Sequence, residues 1–147
     1  MVEQREIIGR WEVEDIPDPH RLFLRVHVND VRASGGKLHP GVFREQRGSM
    51  SVDWERYSTA EESRNRARHP ERVGILALIA GQVRSVEGLT VLHEPDEERG
   101  NRAHSGVHGI FDPAAANPEV RKTMIRSKLF ALFNQWLVEP QVQIAPA

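Results

Sequence analysis

A chain of 147 residues is the size of one domain and long enough to bury one real core. With 39% hydrophobic residues, 28% charged residues and a net charge of −1, it has no global attraction to nucleic acid or to a membrane surface. No apolar run approaches the ~18–20 residues needed to cross a bilayer, and the lack of cysteine excludes disulfides, thiol nucleophiles and thiolate metal sites.

The pattern predicts a single α+β domain over residues 1–147, with a mostly antiparallel β-core, flanking helices and a long C-terminal amphipathic helix. Residues 1–20 read as a polar N-terminal arm, in which Pro17 and Pro19 bracket Asp18 and Trp11 offers an anchor on the core. The opening Met1-Val2-Glu3-Gln4-Arg5-Glu6 lacks the apolar stretch of a signal peptide. Together with the missing cysteine, this gives the expectation of a bacterial, cytoplasmic protein.

Leu22 to Val28 is the first strand, with Leu22, Leu24, Val26 and Val28 on one face and Phe23, Arg25 and His27 on the other. A short turn or helix at 29–34 ends at Gly35-Gly36, and Pro40-Gly41 signals a further turn. Ser49 to Trp54 reads as a second strand. Ser58 with Glu61, or Thr59 with Glu62, forms a capping box that opens a surface helix running to about His69 and stopping before Pro70. Val73 to Ile79 is almost continuously apolar and reads as a strand buried on both faces. A turn or short helix through Gln82-Val83-Arg84 leads to a strand at 89–93. An acidic loop at 94–100 follows, and then a last strand within 101–110. The C-terminal helix is predicted over 117–139, with Asn117 as N-cap, Pro118 in the first turn and Pro140 marking the end. Val120, Met124, Ile125, Leu129, Leu132, Phe133, Trp136 and Leu137 follow helical spacing within it.

Several chemistries lack their signatures. There is no P-loop, no G-x-G-x-x-G and no G-x-S-x-G elbow; Ser105-Gly106 sits in Ala-His-Ser-Gly instead. His93, His104 and His108 lie near Glu94, Asp96, Glu97 and Glu98, but zinc needs about four converging ligands. Gly106 and Gly109 favour an extended chain there, in which positions 104 and 108 stand ~13 Å apart, so no metal site is expected. The carboxylate pair Glu61-Glu62 is explained by helix capping, and Glu97-Glu98 by a solvated loop.

Of the 20 Lys and Arg residues only Lys37, Lys122 and Lys128 are lysine. Guanidinium suits bidentate contacts with phosphate and carboxylate, although the codon usage of a GC-rich genome explains the bias more simply. Arg25 and His27 share one strand face, and Ser51 and Asp53 share another, with Tyr57 just beyond and Arg84 and His104 further along. Such residues suit a pyrophosphate, a ribose hydroxyl and a flat ring, and half-exposed strand faces also carry polar residues without function.

Three segments carry a resemblance: Leu24-Arg25-Val26-His27 on the first strand; Met50-Ser51-Val52-Asp53, with Tyr57 ahead of a helix; and Val73–Ile79 followed by Ala80-Gly81-Gln82-Val83. Their order resembles the small ADP-ribosyltransferase-like domains, which include the RNA 2′-phosphotransferases and some bacterial toxins. The resemblance covers roughly residues 22–110 and implies a split, mostly antiparallel β-core. It implies NAD as cofactor, with Arg25 and His27 as phosphate and ribose ligands and Ser51 and Tyr57 as positioners. The catalytic candidates are then His27, Ser51, Arg84 and His104, with Arg84 as a phosphate or oxyanion clamp. The late-strand Gln-x-Glu or Glu-x-Glu pair of that family is absent; Glu87 and Glu94 stand nearest to it. Ser-Val-Asp-Trp and Asn-Arg-Ala-His-Ser also resemble strings in a group of small uncharacterised bacterial proteins.

Two functions are therefore expected. One is an interaction module of a bacterial multi-protein system, docking a protein partner or a second copy through Phe130, Phe133, Trp136 and Leu137 of the C-terminal helix. The other is an ADP-ribosyltransferase-like domain that binds NAD or an RNA phosphate. Arg56, Arg64, Arg68 and Arg72, around the 58–69 helix, offer a nucleic-acid contact partly neutralised by Glu61, Glu62 and Glu71.

Overall fold

A computed structural model of the protein describes residues 7–8, 11–32, 35–46 and 48–140. The chain forms strands β1 (Ile7–Ile8), β2 (Trp11–Glu12) and β3 (Arg21–His27), helix α1 (Val28–Arg32), strand β4 (Met50–Trp54) and helix α2 (Ala60–Asn65). Strand β5 (Val73–Ile79), helix α3 (Ala80–Ser85), strands β6 (Thr90–His93) and β7 (His104–His108), helix α4 (Pro118–Leu132) and strand β8 (Trp136–Val138) complete it. Strands β1 and β2 pair with each other, and the other six form one antiparallel sheet in the order β6-β7-β4-β3-β5-β8. This is an α+β fold with a mostly antiparallel core. Among the described residues no helix is long and apolar enough to cross a membrane.

Strand alternation divides the sheet into two unlike faces. Leu22, Leu24 and Val26 of β3, Met50, Val52 and Trp54 of β4, and Leu76 and Leu78 of β5 point into the main core. That face is closed by Ile16 of the arm, Val31 of α1, Phe43, Ala80 and Val83 of α3, and Ile125 and Leu129 of α4. On the opposite face Phe23, Val73 and Ile75 pack beneath Ala60 and Ala67, at and beyond α2, and beside Leu137 and Val138. Helix α2 lies mainly over the β3-β5-β8 half and reaches β4 through the Ser63 hydroxyl at Asp53. The β4-β7-β6 half carries Ser51, His104, His108, Thr90 and a half-exposed Leu92, with no helix above it among the described residues. Strands β3 and β5 pair over seven residues, whereas β3 and β4 pair only at Leu22↔Trp54 and Phe23↔Asp53. Beyond those two pairs β3 and β4 part, and a cleft opens between Arg25 and Ser51.

Two boundaries differ from expectation. Helix α2 stops at Asn65 rather than near His69, because the Ala67 amide already bonds to the Arg64 carbonyl, three residues back, at 3.0 Å. Its cap is the Thr59 register, with Thr59 Oγ1 accepting from the Glu62 amide and Glu62 accepting from the Thr59 amide. The helix predicted over 117–139 ends at Leu132. Phe133 is extended, and Trp136 to Val138 form an edge strand on β5, pairing Ile75↔Val138 and Leu76↔Trp136. An apolar strand such as β5 left at an edge would expose unpaired backbone groups, and β8 supplies them with partners. Asn117 holds the N-cap position of α4 but makes no side-chain cap bond. Of the residues assigned to a docking face, Phe133 and Trp136 pack against the main core and Leu137 against the second cluster, leaving Phe130 exposed.

Candidate functional site

The open half of the outer face is organised around one buried carboxylate. Asp53, 1% exposed, lies on β4 between Phe23 of β3 and His104 of β7 in the strand register. Its Oδ2 accepts from Ser63 Oγ at 2.6 Å and from an Arg66 Nη1 at 3.1 Å, and its Oδ1 accepts from Asn101 Nδ2 at 2.8 Å. Arg25 Nη1 stands 3.6 Å away and donates to the Ser63 carbonyl at 3.2 Å. A buried charge must be paired and hydrogen-bonded, and Asp53 meets that demand while tying β3, β4, α2 and the 101 turn together.

Two residues earlier on β4, Ser51 faces the same side. Its hydroxyl lies 3.3 Å from His104 Nε2, and His104 Nδ1 lies 2.8 Å from the Glu94 carbonyl oxygen. Glu94 lays its side chain flat over Gly106 to reach His108 Nε2 at 3.1 Å. A Cβ at Gly106 would sit 2.0 Å from that carboxylate oxygen, so the crossing depends on glycine.

Three clefts meet at these residues. One of about 240 Å³ is lined by Arg25, His27, Ser51 and Arg44; one of about 540 Å³ by Ser51, His104, Arg99 and the acidic turn Glu94 to Glu98; one of about 500 Å³ by Arg25, Arg66, Arg68, Arg99, Asn101 and His104. Ser51 lines the first and second, His104 and Arg99 the second and third, and Arg25 the first and third. Arg25 and Arg66 each use only Nη1 on protein partners among the described residues, so the rest of each guanidinium fork is available to a ligand. The clefts therefore carry arginines from β3, from the end of α2 and from the 96–101 turn, and carboxylates from that same turn, where Arg99 pairs with Asp96 at 3.9 Å.

Arg25, His27, Ser51 and His104 of the sequence candidates are thus brought to one face, with His27 Nδ1 accepting from the Asn29 amide at 3.1 Å. Tyr57 and Arg84 are not. The chain turns back after Trp54, with the Tyr57 amide on the Trp54 carbonyl, and puts Tyr57 against the main core. There its hydroxyl donates to Glu14, and Arg102 lies 4.1 Å over its ring. Burial, reinforced by the Glu14 carboxylate, raises the phenol above its ordinary value. Arg84 clasps the arm, donating to the Ile16 carbonyl at 2.6 Å, to Asp18 at 2.8 Å and to the Val91 carbonyl of β6 at 3.3 Å. The four arginines proposed for nucleic acid also separate. Arg56 pairs with Glu14, Arg64 donates to the Val73 carbonyl, Arg72 is exposed by the 70–72 turn, and only Arg68 lines the site.

Arg66, Arg99 and Asn101 are the members that sequence reasoning missed. Arg66 follows the last residue of α2 as its C-cap and reaches Asp53 from there, a direction that no helical period supplies. Arg99 and Asn101 join because the 96–101 turn closes on itself, with Asp96 and Asn101 exchanging backbone bonds of 2.8 Å. Among the described residues no group of three or more His, Cys, Asp or Glu side chains could hold a metal ion. No protein-family model, no curated protein and no solved structure matches the chain.

Proposed function

We propose that the open half of the outer sheet face binds a phosphate-bearing ligand of the nucleotide class, NAD or an RNA phosphate. The observation that carries this is the meeting of three clefts at Arg25, Ser51 and His104, with Arg66, Arg68 and Arg99 lining the third. Planar guanidinium forks match the paired oxygens of a phosphate, and the carboxylates of the 94–98 turn suit ribose hydroxyls. The resemblance to ADP-ribosyltransferase-like domains supports the reading at Arg25, His27 and Ser51, whereas Tyr57 and Arg84 have no part in it. A cysteine-free chain fits a reducing compartment, and we place this function in the cytoplasm.

Thermal unfolding with and without millimolar NAD or inorganic pyrophosphate tests the reading. A ligand at a hundred times its dissociation constant adds about 2.7 kcal/mol, which for a chain this size raises the midpoint by about 5–10 °C. Arg68→Ala combined with Arg99→Ala should remove most of that rise and leave the unliganded midpoint unchanged, because both side chains are exposed. No rise with either ligand overturns the proposal.

A second reading, docking of another copy through α4, is favoured by Val120 and Met124, which lie one turn apart and are 67% and 49% exposed. Sedimentation should then show a concentration-dependent dimer that Met124→Glu abolishes. A monomer at all concentrations rejects it.

A further inference from the structure

Ser51 and His104 are diagonal neighbours on paired strands, since Ser51 stands opposite Gly106 and His104 opposite Asp53. The Glu94 carbonyl can only accept, so His104 Nδ1 carries the proton that meets it at 2.8 Å. In the neutral ring Nε2 is then the acceptor, and the Ser51 hydroxyl, 3.3 Å away, donates to it. The Glu94 carbonyl is itself fixed by the β6-β7 ladder, where the Glu94 amide donates to the His104 carbonyl at 2.9 Å. The result is a hydroxyl, a base and a rigid group that sets the base's tautomer, which is the arrangement that activates a serine. Hydroxyl–base distances of this length tighten when substrate binds. Ser51 also borders two clefts, so its hydroxyl is open to a ligand held by the arginines.

We propose that Ser51 is the nucleophile, and His104 its general base, of a centre that hydrolyses phosphate esters; the substrate class rests on the phosphate-binding reading above. His104 Nε2 takes the Ser51 proton as the Oγ–P bond forms and the bond from phosphorus to the leaving oxygen breaks. The leaving alcohol takes that proton from the imidazolium. Water then attacks the phosphoserine and gives a proton to His104, the P–Oγ bond breaks, and the proton returns to Ser51 as phosphate departs. The free edge of the Arg25 guanidinium offsets charge on the non-bridging oxygens throughout.

The test is covalent labelling of the whole chain with a fluorophosphonate, read by intact mass and peptide mapping, with p-nitrophenyl phosphate turnover alongside. The expected result is one adduct, on Ser51, and nitrophenolate release that Ser51→Ala abolishes. In His104→Ala both reactions slow about a hundredfold, the usual size of a general-base contribution, and added imidazole partly restores them. His104→Asn serves if the alanine variant fails to fold. Inorganic pyrophosphate should slow labelling of the native protein. Absence of an adduct at Ser51, or labelling indifferent to His104, overturns the proposal even where pyrophosphate still raises the unfolding midpoint. An adduct at Ser51 that pyrophosphate does not slow overturns the phosphate-ester assignment together with the binding reading.

Discussion

Asp53 has two oxygens and three strong donors, and nothing in its surroundings can replace it. Asp53→Ala strands Ser63, Asn101 and the Arg66 guanidinium around an empty site, and removing one partner from a buried charge network is costly. The expected loss is about 3 kcal/mol, read as a lower urea midpoint with an unchanged slope. His93, 2% exposed, is a second buried polar residue with a different duty. Its Nδ1 accepts from the Glu14 amide at 3.0 Å, its Nε2 donates to the Arg102 carbonyl at 2.7 Å, and Trp54 meets the ring edge-on at 5.1 Å. Burial, the largest influence, holds its pKa below the ordinary value of 6.5. The unfolded chain therefore binds more protons than the folded one between the lowered value and 6.5. The stability contribution is complete above about pH 6.5 and declines as pH falls through that window. The unfolding midpoint of the native chain should drop on going from pH 7 to pH 5 by more than that of His93→Gln. Parallel curves for the two would show that the arm is not pinned through a neutral His93.

At the scale of elements, β8 owes its place to a missing side chain. A Cβ on Gly74 would lie 2.6 Å from the Pro140 nitrogen and 2.7 Å from the Val138 carbonyl oxygen, and backbone cannot swing aside as a side-chain tip can. Gly74→Ala should force β8 off the edge of β5 and cost about 1–3 kcal/mol in denaturant unfolding. The same element marks where pattern reading stops. Phe133, Trp136 and Leu137 continue the helical spacing of Ile125 and Leu129, and only the open edge of β5, some sixty residues earlier, makes them a strand instead. Strand β3 was legible because two-residue alternation carries its own evidence. Arg25 and His27 had to share a face once Leu22, Leu24 and Val26 shared the other. That parity fails past a strand end, which is why Tyr57, beyond a turn, was misgrouped with Ser51. Arg66 and Arg99 lie in turns, whose direction is set by tertiary bonds that no local period encodes.

For the molecule as a whole, a net charge of −1 conceals a local concentration of charges of both signs around the clefts. Attraction of pyrophosphate should therefore be short in range and sensitive to salt. The Debye length falls from ~10 Å at 0.1 M to ~3 Å at 1 M, so the stabilising effect of pyrophosphate should shrink over that interval while that of an uncharged osmolyte does not. The α+β class and the strand faces follow from periodicities in the chain, whereas the clefts exist only because β3 and β4 part and the 96–101 turn folds over them. The uneven cover of the outer face also decides how the chain tolerates change. In a saturating mutational scan read by folding alone, intolerance should gather on the core face and beneath α2, and the outward-facing positions of β4, β6 and β7 should stay permissive except at Asp53. A second scan read by growth or activity would then need only to be subtracted from the first. Any intolerance left at Arg25, Ser51 or His104 would belong to selection for function and not to selection for the fold.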